Sequence, residues 1–244
     1  PKAGWFRLNF FDWVAIWHAE TSSGKAIPSH SHHDVCSLVL FLNGREILID
    51  PGRYNYNNKG FGYYGYTANS HNTLTIDGLP PMLSRGDRFI PAHYRQADCS
   101  ITYQFKNQKV LIKISHNGFS RLGKGIGLHT RTFTFSEKDL LIEDQIEGEG
   151  CFLIETYFHQ NLANIKNIPH GLFRVLPKKI NLFDKVTSEN HPELKPQYLI
   201  ANEQPFGGWR CPSYGVREPA LTTAFSSKTK LPVSYTYRIT NLKV

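Results

Sequence analysis

No stretch of this chain carries a helical stripe of apolar residues longer than two turns, whereas short apolar runs recur from end to end. Strand-like runs cover Gly4 to Leu8, Trp13 to Ala19, Val35 to Leu42, Glu46 to Ile49, Asn72 to Ile76, Ser100 to Phe105, Lys109 to Ser115, Leu128 to Phe135, Leu140 to Ile146, Phe152 to Phe158, Gly171 to Leu176, Ala220 to Phe225 and Val233 to Asn241. Turn formers punctuate them at Asn43-Gly44, Asp77-Gly78, Asn117-Gly118 and Gly148-Glu149-Gly150. This pattern predicts an all-β fold, a multi-stranded antiparallel β-sandwich of stacked sheets. Two segments read as loops. Arg53 to Ser70 holds five tyrosines (Tyr54, Tyr56, Tyr63, Tyr64, Tyr66), and Ser188 to Tyr214 is rich in proline, glycine and asparagine. With no internal repeat or low-complexity linker, residues 1–244 are expected to form one domain, long enough to bury a sizeable core.

Charge narrows the partners. The 28 Lys and Arg against 20 Asp and Glu leave a formal net charge of +8, which suits an anionic partner such as an acidic polysaccharide, a nucleic acid or a membrane surface. The basic residues are dispersed, and neither an RNP-type aromatic motif nor a basic helix is present, so nucleic acid is the weaker alternative. No apolar stretch is long enough to span a membrane. The four cysteines (Cys36, Cys99, Cys151, Cys211) form no CxxC pair, and Cys36 and Cys151 lie in apolar runs, which favours buried free thiols over disulfides. The chain opens on Pro1 and reaches strand-like sequence almost at once, as a trimmed fragment would, so a missing targeting signal is uninformative.

The chemistry concentrates between residues 30 and 73. In an extended backbone His30, His32 and Asp34 would project to one face and His33 to the other. The run that follows reaches the hairpin turn Asn43-Gly44, and Glu46 to Ile49 returns Asp50 toward the histidines, while His71-Asn72-Thr73 opens another strand. Two readings stay open on these residues. His30 and His32, about 7 Å apart along a strand, can share one cation with Asp50 and His71, and zinc accepts nitrogen and carboxylate ligands. Alternatively Asp50-Pro51-Gly52 caps a turn and His71 is a hydrogen-bonded loop residue. Tyrosines 54 to 66 offer flat faces for sugar rings, or simply fill a packed loop. For Arg131, Asp144 and His159, within later strands, a buried ion-pair or hydrogen-bond network is expected rather than catalysis, and Asn72 and Thr73 are expected to satisfy strand ends. No Gly-x-Ser-x-Gly elbow and no phosphate-binding glycine motif occurs.

His30-Ser31-His32-His33-Asp34, Leu38 to Phe41, Asp50-Pro51-Gly52-Arg53-Tyr54-Asn55-Tyr56 and Ser70-His71-Asn72-Thr73 together resemble the C-terminal part of heparinase II/III-like polysaccharide lyases. Gly118 to Leu122, His129-Thr130-Arg131, Asp144 to Gly148, Phe158-His159 and Ser213-Tyr214-Gly215 fit the same resemblance, which covers most of residues 4 to 240. The resemblance implies the β-sandwich of a bacterial, periplasmic or secreted enzyme whose N-terminal α/α toroid is absent from this chain. Such enzymes cleave uronic-acid polysaccharides, among them heparan sulfate, heparin and alginate, by β-elimination. The resemblance further implies one structural zinc per chain on His32, Asp50 and His71, with His30 left to act at the substrate. Arg53, Tyr54, Tyr64 and Tyr66 would bind the acidic sugar. Many relatives carry an arginine where this chain has Tyr66, so this chain is expected either to prefer another substrate or to rely on Arg53 to grip the acid. The isolated fragment is expected to be inactive, and a non-catalytic carbohydrate-binding or scaffolding module is the alternative reading.

Overall fold

The computed structural model describes residues 5–19, 32–57, 59–81, 98–123, 125–162 and 194–241, together with the backbone of 183–188. The expected strand Gly171 to Leu176 and His30 lie outside these residues. Among the described residues nearly all regular structure is strand. The chain runs through β1 (Trp5–Phe10), β2 (Trp13–His18), β3 (Leu38–Leu42), β4 (Arg45–Leu48), β5 (Leu74–Ile76), β6 (Cys99–Lys106), β7 (Lys109–His116), β8 (Ile126–Phe135) and β9 (Asp139–Gly148). It continues through β10 (Cys151–Gln160), β11 (Phe183–Ser188), β12 (Gln197–Ile200), β13 (Asn202–Glu203), β14 (Phe206–Gly207), β15 (Trp209–Ser213), β16 (Val216–Pro219), β17 (Leu221–Lys230) and β18 (Val233–Thr240).

Three antiparallel sheets carry the fold, in the orders β1-β2-β3-β4, β12-β17-β10-β5 and β11-β18-β9-β8-β7-β6, and two small hairpins, β13–β14 and β15–β16, complete it. Period-two alternation decides which faces are buried. On β2 the residues Trp13, Ala15 and Trp17 point inward, and on β9 Leu140, Ile142, Asp144 and Ile146 do. Trp13 and Trp17 meet Phe133 and Phe135 of β8 edge-on, so the first sheet is packed against the six-stranded one. Phe158 and Phe225 of the remaining sheet close on Tyr237 of β18. The all-β layered architecture is therefore as the turn spacing predicts.

Some local expectations needed correction. Asn43 and Gly44 both have positive φ (51° and 73°), as a two-residue hairpin turn requires. Before that hairpin, however, β3 starts only at Leu38. Cys36 sits at φ 65° and the Ser37 amide donates to the Asp34 carbonyl, so residues 34–37 form a turn and strict face alternation from His32 onward does not hold. The segment Ser188 to Tyr214, read as loop, contains β12, β13, β14 and β15. A short helix, Gly60–Tyr64, sits inside the tyrosine-rich loop. All four cysteines are free, yet Cys151 is exposed at the start of β10 rather than buried.

Candidate active site and the network beneath it

Asp50 follows β4 and His71 precedes β5, and both strands lie against β10: the Ile49 amide donates to the His159 carbonyl, and the Tyr157 amide to the Thr73 carbonyl. Asn72 locks this junction. Its Nδ2 donates to the carbonyls of Leu38 and Ile49, each at 2.8 Å, and its Oδ1 accepts from the His159 amide at 2.7 Å. Thr73 Oγ1 donates to the Val35 carbonyl at 2.7 Å. Asn72 and Thr73 thus satisfy strand ends, as their sequence context suggests, and hold three chain segments in one place.

Held in this way, His71 Nδ1 lies 2.9 Å from Asp50 Oδ2. The other Asp50 oxygen accepts from the Gly52 amide at 2.9 Å, so Asp50 caps its turn and faces His71 at once. His71 is buried, and its Nε2 has no hydrogen-bond partner among the described residues. Burial pushes the Asp50 carboxyl upward, but its side chain keeps 38% of its surface exposed, and the His71 charge and hydrogen bond win, holding it well below the usual carboxylate range. For His71 burial acts downward, and the Asp50 carboxylate outweighs it, leaving the imidazole above its ordinary value. His32 completes the arrangement with its ring centroid 5.3 Å from that of His71. Its pKa falls to about 4, through burial first and the neighbouring His71 second, so at neutral pH one ring nitrogen offers a lone pair.

Arg53 stands close enough for its charge to act on His32. Its guanidinium carbon lies 4.3 Å from the centre of the Tyr56 ring and 5.3 Å from that of Tyr66, and its Nε donates to the Asn55 carbonyl. Among the described residues it forms no ion pair. Tyr64 and Tyr66, expected to present ring faces, are only 4% and 7% exposed. Rings so covered cannot carry a sugar, and they support the loop from beneath: Tyr64 packs on Phe61 and Phe206, Tyr66 on His33 and Tyr63. Tyr54 is half-buried and packs edge-on against Phe61. Arg53 thus lies over the rings of both Tyr56 and Tyr66.

Beneath the site runs a second cluster that sequence reading only partly anticipates. Arg131 and Asp144 face each other across β8 and β9 and form a fully buried pair, Nε to Oδ1 at 2.7 Å and a terminal amine to Oδ2 at 2.7 Å. Asp144 Oδ1 also meets His129 Nε2 at 2.8 Å, and His129 Nδ1 meets His116 Nε2 at 2.8 Å. The direction of these bonds follows from one obligate donor. Because the Gly118 amide donates to His116 Nδ1, that nitrogen carries the lone pair, His116 Nε2 carries the proton and gives it to His129 Nδ1, and His129 Nε2–H donates to Asp144. Both imidazoles are neutral and every ring nitrogen is used. Arg131 then reaches the Asn72 carbonyl at 2.7 Å, tying the network to the loop of His71. His159 stands apart from it, with Nδ1 3.0 Å from Thr222 Oγ1.

Cys36, His116 and His129 form a group of three candidate metal ligands, with ligand atoms all within 4.8 Å of one another, and it is the one such group among the described residues. Its donor types suit zinc. A cation there would need both facing imidazole lone pairs, forcing a proton onto His116 Nδ1 against the Gly118 amide. It would also need a thiolate, whereas burial keeps the Cys36 thiol well above its ordinary pKa. His32, Asp50 and His71 do not close to that spacing, yet they consist of one neutral imidazole, one carboxylate and one imidazole with an unpartnered buried nitrogen, donor chemistry that fits zinc.

The buried histidines set an acid limit on stability. Burial, the largest influence on each, lowers the pKa of His116, His129 and His159, the last to about 3. As pH falls below 6.5 the unfolded chain protonates these rings and the folded one does not, so stability falls. Between pH 6.5 and 5 His159 alone accounts for roughly 1.5 kcal/mol. His71 adds little there, because a raised pKa makes its contribution complete below 6.5, and Asp50 and Asp144 keep theirs until pH approaches 4. Urea midpoints at the two pH values check this, and an unchanged midpoint would contradict it.

The family model for the heparinase II/III-like C-terminal domain matches residues 1–230. This chain belongs to the heparinase II/III-like family. Solved structures agree in fold. A mutant of heparan sulfate lyase HepC from Pedobacter heparinus superposes with a TM-score of 0.66 at 17% identity, over 99% of this chain and 36% of that one. The unmutated HepC gives 0.65 at 16% identity over the same shares, and a structure of heparinase III gives 0.66 at 14% identity over 98% and 35%. The heparinase II/III-like chain thus spans about a third of the length of these structures. No curated protein sequence matches it. Among the described residues no helix is long and apolar enough to cross a membrane.

Proposed function

We propose that residues 1–244 form the C-terminal β-sandwich domain of a bacterial, periplasmic or secreted polysaccharide lyase that cleaves an anionic uronic-acid polymer by β-elimination. One observation carries the reading: the Arg53 guanidinium, unpaired with any carboxylate among the described residues, stands within electrostatic reach of neutral His32 beside the Asp50–His71 pair. β-Elimination removes the proton at C5 of a uronate and expels the oxygen at C4. The adjacent carboxylate opposes the negative charge that develops, so a cation must meet it first. Arg53 is suited to that task, with Tyr54 at the edge of the same loop. His30, next but one to His32, is assigned to the sugar, where a neutral imidazole can hold or move a proton.

In this reading His32, Asp50 and His71 hold one zinc ion, which would fix the loop geometry and leave the chemistry to neighbouring groups. An N-terminal toroid supplies further catalytic groups, and the isolated chain is inactive. The whole protein, incubated separately with heparan sulfate, heparin, chondroitin, hyaluronan, alginate and pectate, should generate unsaturated uronates absorbing in the near ultraviolet from at least one of them. No such product from any polymer would refute the lyase reading. Polymer binding by the whole protein without turnover would favour a carbohydrate-binding module.

A further inference from the structure

The β15–β16 hairpin folds back onto the loop that carries Asp50. The Cys211 amide donates to the Pro51 carbonyl at 2.6 Å, and the Gly215 amide to the Tyr54 carbonyl at 2.8 Å. Gly52 allows this approach. Its φ is 74°, and a Cβ there would come within 2.7 Å of the Cys211 carbonyl oxygen. The hairpin turn therefore places Tyr214 beside Tyr56, with ring centroids 6.0 Å apart and planes inclined by 33°. At that spacing the two rings form one aromatic patch, with the Arg53 guanidinium over the Tyr56 ring. Both stay open to solvent, Tyr56 at 58% and Tyr214 at 67%.

Charge singles out the same place. Arg210 is paired with Glu218, and Arg217 with Glu203. Arg53, against the Tyr56 ring, has no carboxylate partner among the described residues. A pair of solvent-exposed aromatic rings beside a guanidinium with no carboxylate partner among the described residues suits a ligand with an apolar face and an acid group on one ring. We infer that Tyr56, Tyr214 and Arg53 form a binding subsite for a carboxylated or sulfated pyranose of an acidic polysaccharide. The C–H face of the sugar lies on the tyrosines and its acid group meets Arg53. The inference rests on the proposed uronate-polymer reading and extends its Arg53 site onto the hairpin, so that one sugar meets Arg53 and both tyrosines.

Binding of heparan sulfate, heparin and alginate to the protein, measured by affinity electrophoresis, tests the subsite. Tyr214→Ala should weaken binding of at least one polymer about tenfold. Tyr214→Trp should keep it, and Tyr103→Ala, at an exposed ring on the edge strand β6, should change nothing. Arg53→Met should reduce the preference for these polymers over a neutral glucan. Should Tyr214→Ala bind within twofold of the unaltered protein while Arg53→Met binds more weakly, the subsite is wrong while the polymer reading stands; should Arg53→Met also bind within twofold, the polymer reading loses its basis as well. Should the unaltered protein bind none of these three polymers and none of chondroitin, hyaluronan and pectate, both fail. Loss of binding in Tyr214→Ala with an unchanged thermal midpoint supports the subsite; if Tyr214→Ala unfolds, Tyr56→Leu, for which the same loss is expected, decides it.

Discussion

Replacing Asp144 with alanine is expected to lower the unfolding free energy by about 3–5 kcal/mol, a large fraction of the stability of an ordinary domain. The carboxylate is fully buried and serves two partners at once, the Arg131 guanidinium and the His129 Nε2–H. Removing it leaves a buried cation without a counter-charge and a buried N–H without an acceptor, and it opens a cavity. Asparagine would repair only half of this. Its carbonyl can accept from His129, but its amide then faces an Arg131 amine, donor against donor. The Arg131→Met/Asp144→Leu double variant should recover much of the loss, because a well-packed apolar pair carries no desolvation penalty. Urea denaturation of the three variants measures the effect. An Asp144→Ala midpoint equal to that of the unaltered protein would mean that the network contributes little.

The same pair shows what a sequence can and cannot reveal here. Alternation along β8 and β9 places Arg131 and Asp144 among inward-facing positions, and a charge amid such neighbours already points to a buried ion pair. That His116 and His129 join it depends on the register of β7 against β8, which sets these two residues opposite each other. Register is a tertiary property, and neither histidine announces it locally. The return of Asp50 toward His71 was legible because Asn43-Gly44 fixes a tight hairpin. The turn at Cys36 was not, since a non-glycine residue at φ 65° leaves no compositional mark. Ser188 to Tyr214 misled for a related reason. Its prolines and glycines read as loop, yet short hairpins such as β13–β14 and β15–β16 are built from such residues, and close approaches to the 50–57 loop and to β12 hold them in place. The tyrosines divided along the same line: composition pointed to a ring-rich loop, but only the fold separates buried Tyr64 and Tyr66 from exposed Tyr56.

Elemental analysis of the purified protein is expected to find about one zinc per chain, falling to near zero in His71→Ala and strongly reduced in His32→Ala and Asp50→Ala. Two candidate ligand groups make different demands, so substitutions can tell them apart. At Cys36, His116 and His129 the imidazole nitrogens are already committed to the Gly118 amide, to each other and to Asp144, and burial holds the thiol protonated. A zinc ion there would have to overturn that tautomer arrangement. At His32, Asp50 and His71 a carboxylate is ionised, one imidazole is neutral and the other has a buried nitrogen without a partner, so binding displaces at most one proton. Cys36→Ser and His116→Gln should therefore keep the metal, even where they lower stability. Loss of zinc from Cys36→Ser with retention in His71→Ala would move the ion to the inner cluster and leave the Asp50–His71 pair as a purely structural contact. Zinc absent from the unaltered protein after metal-replete purification would remove the ion from both sites.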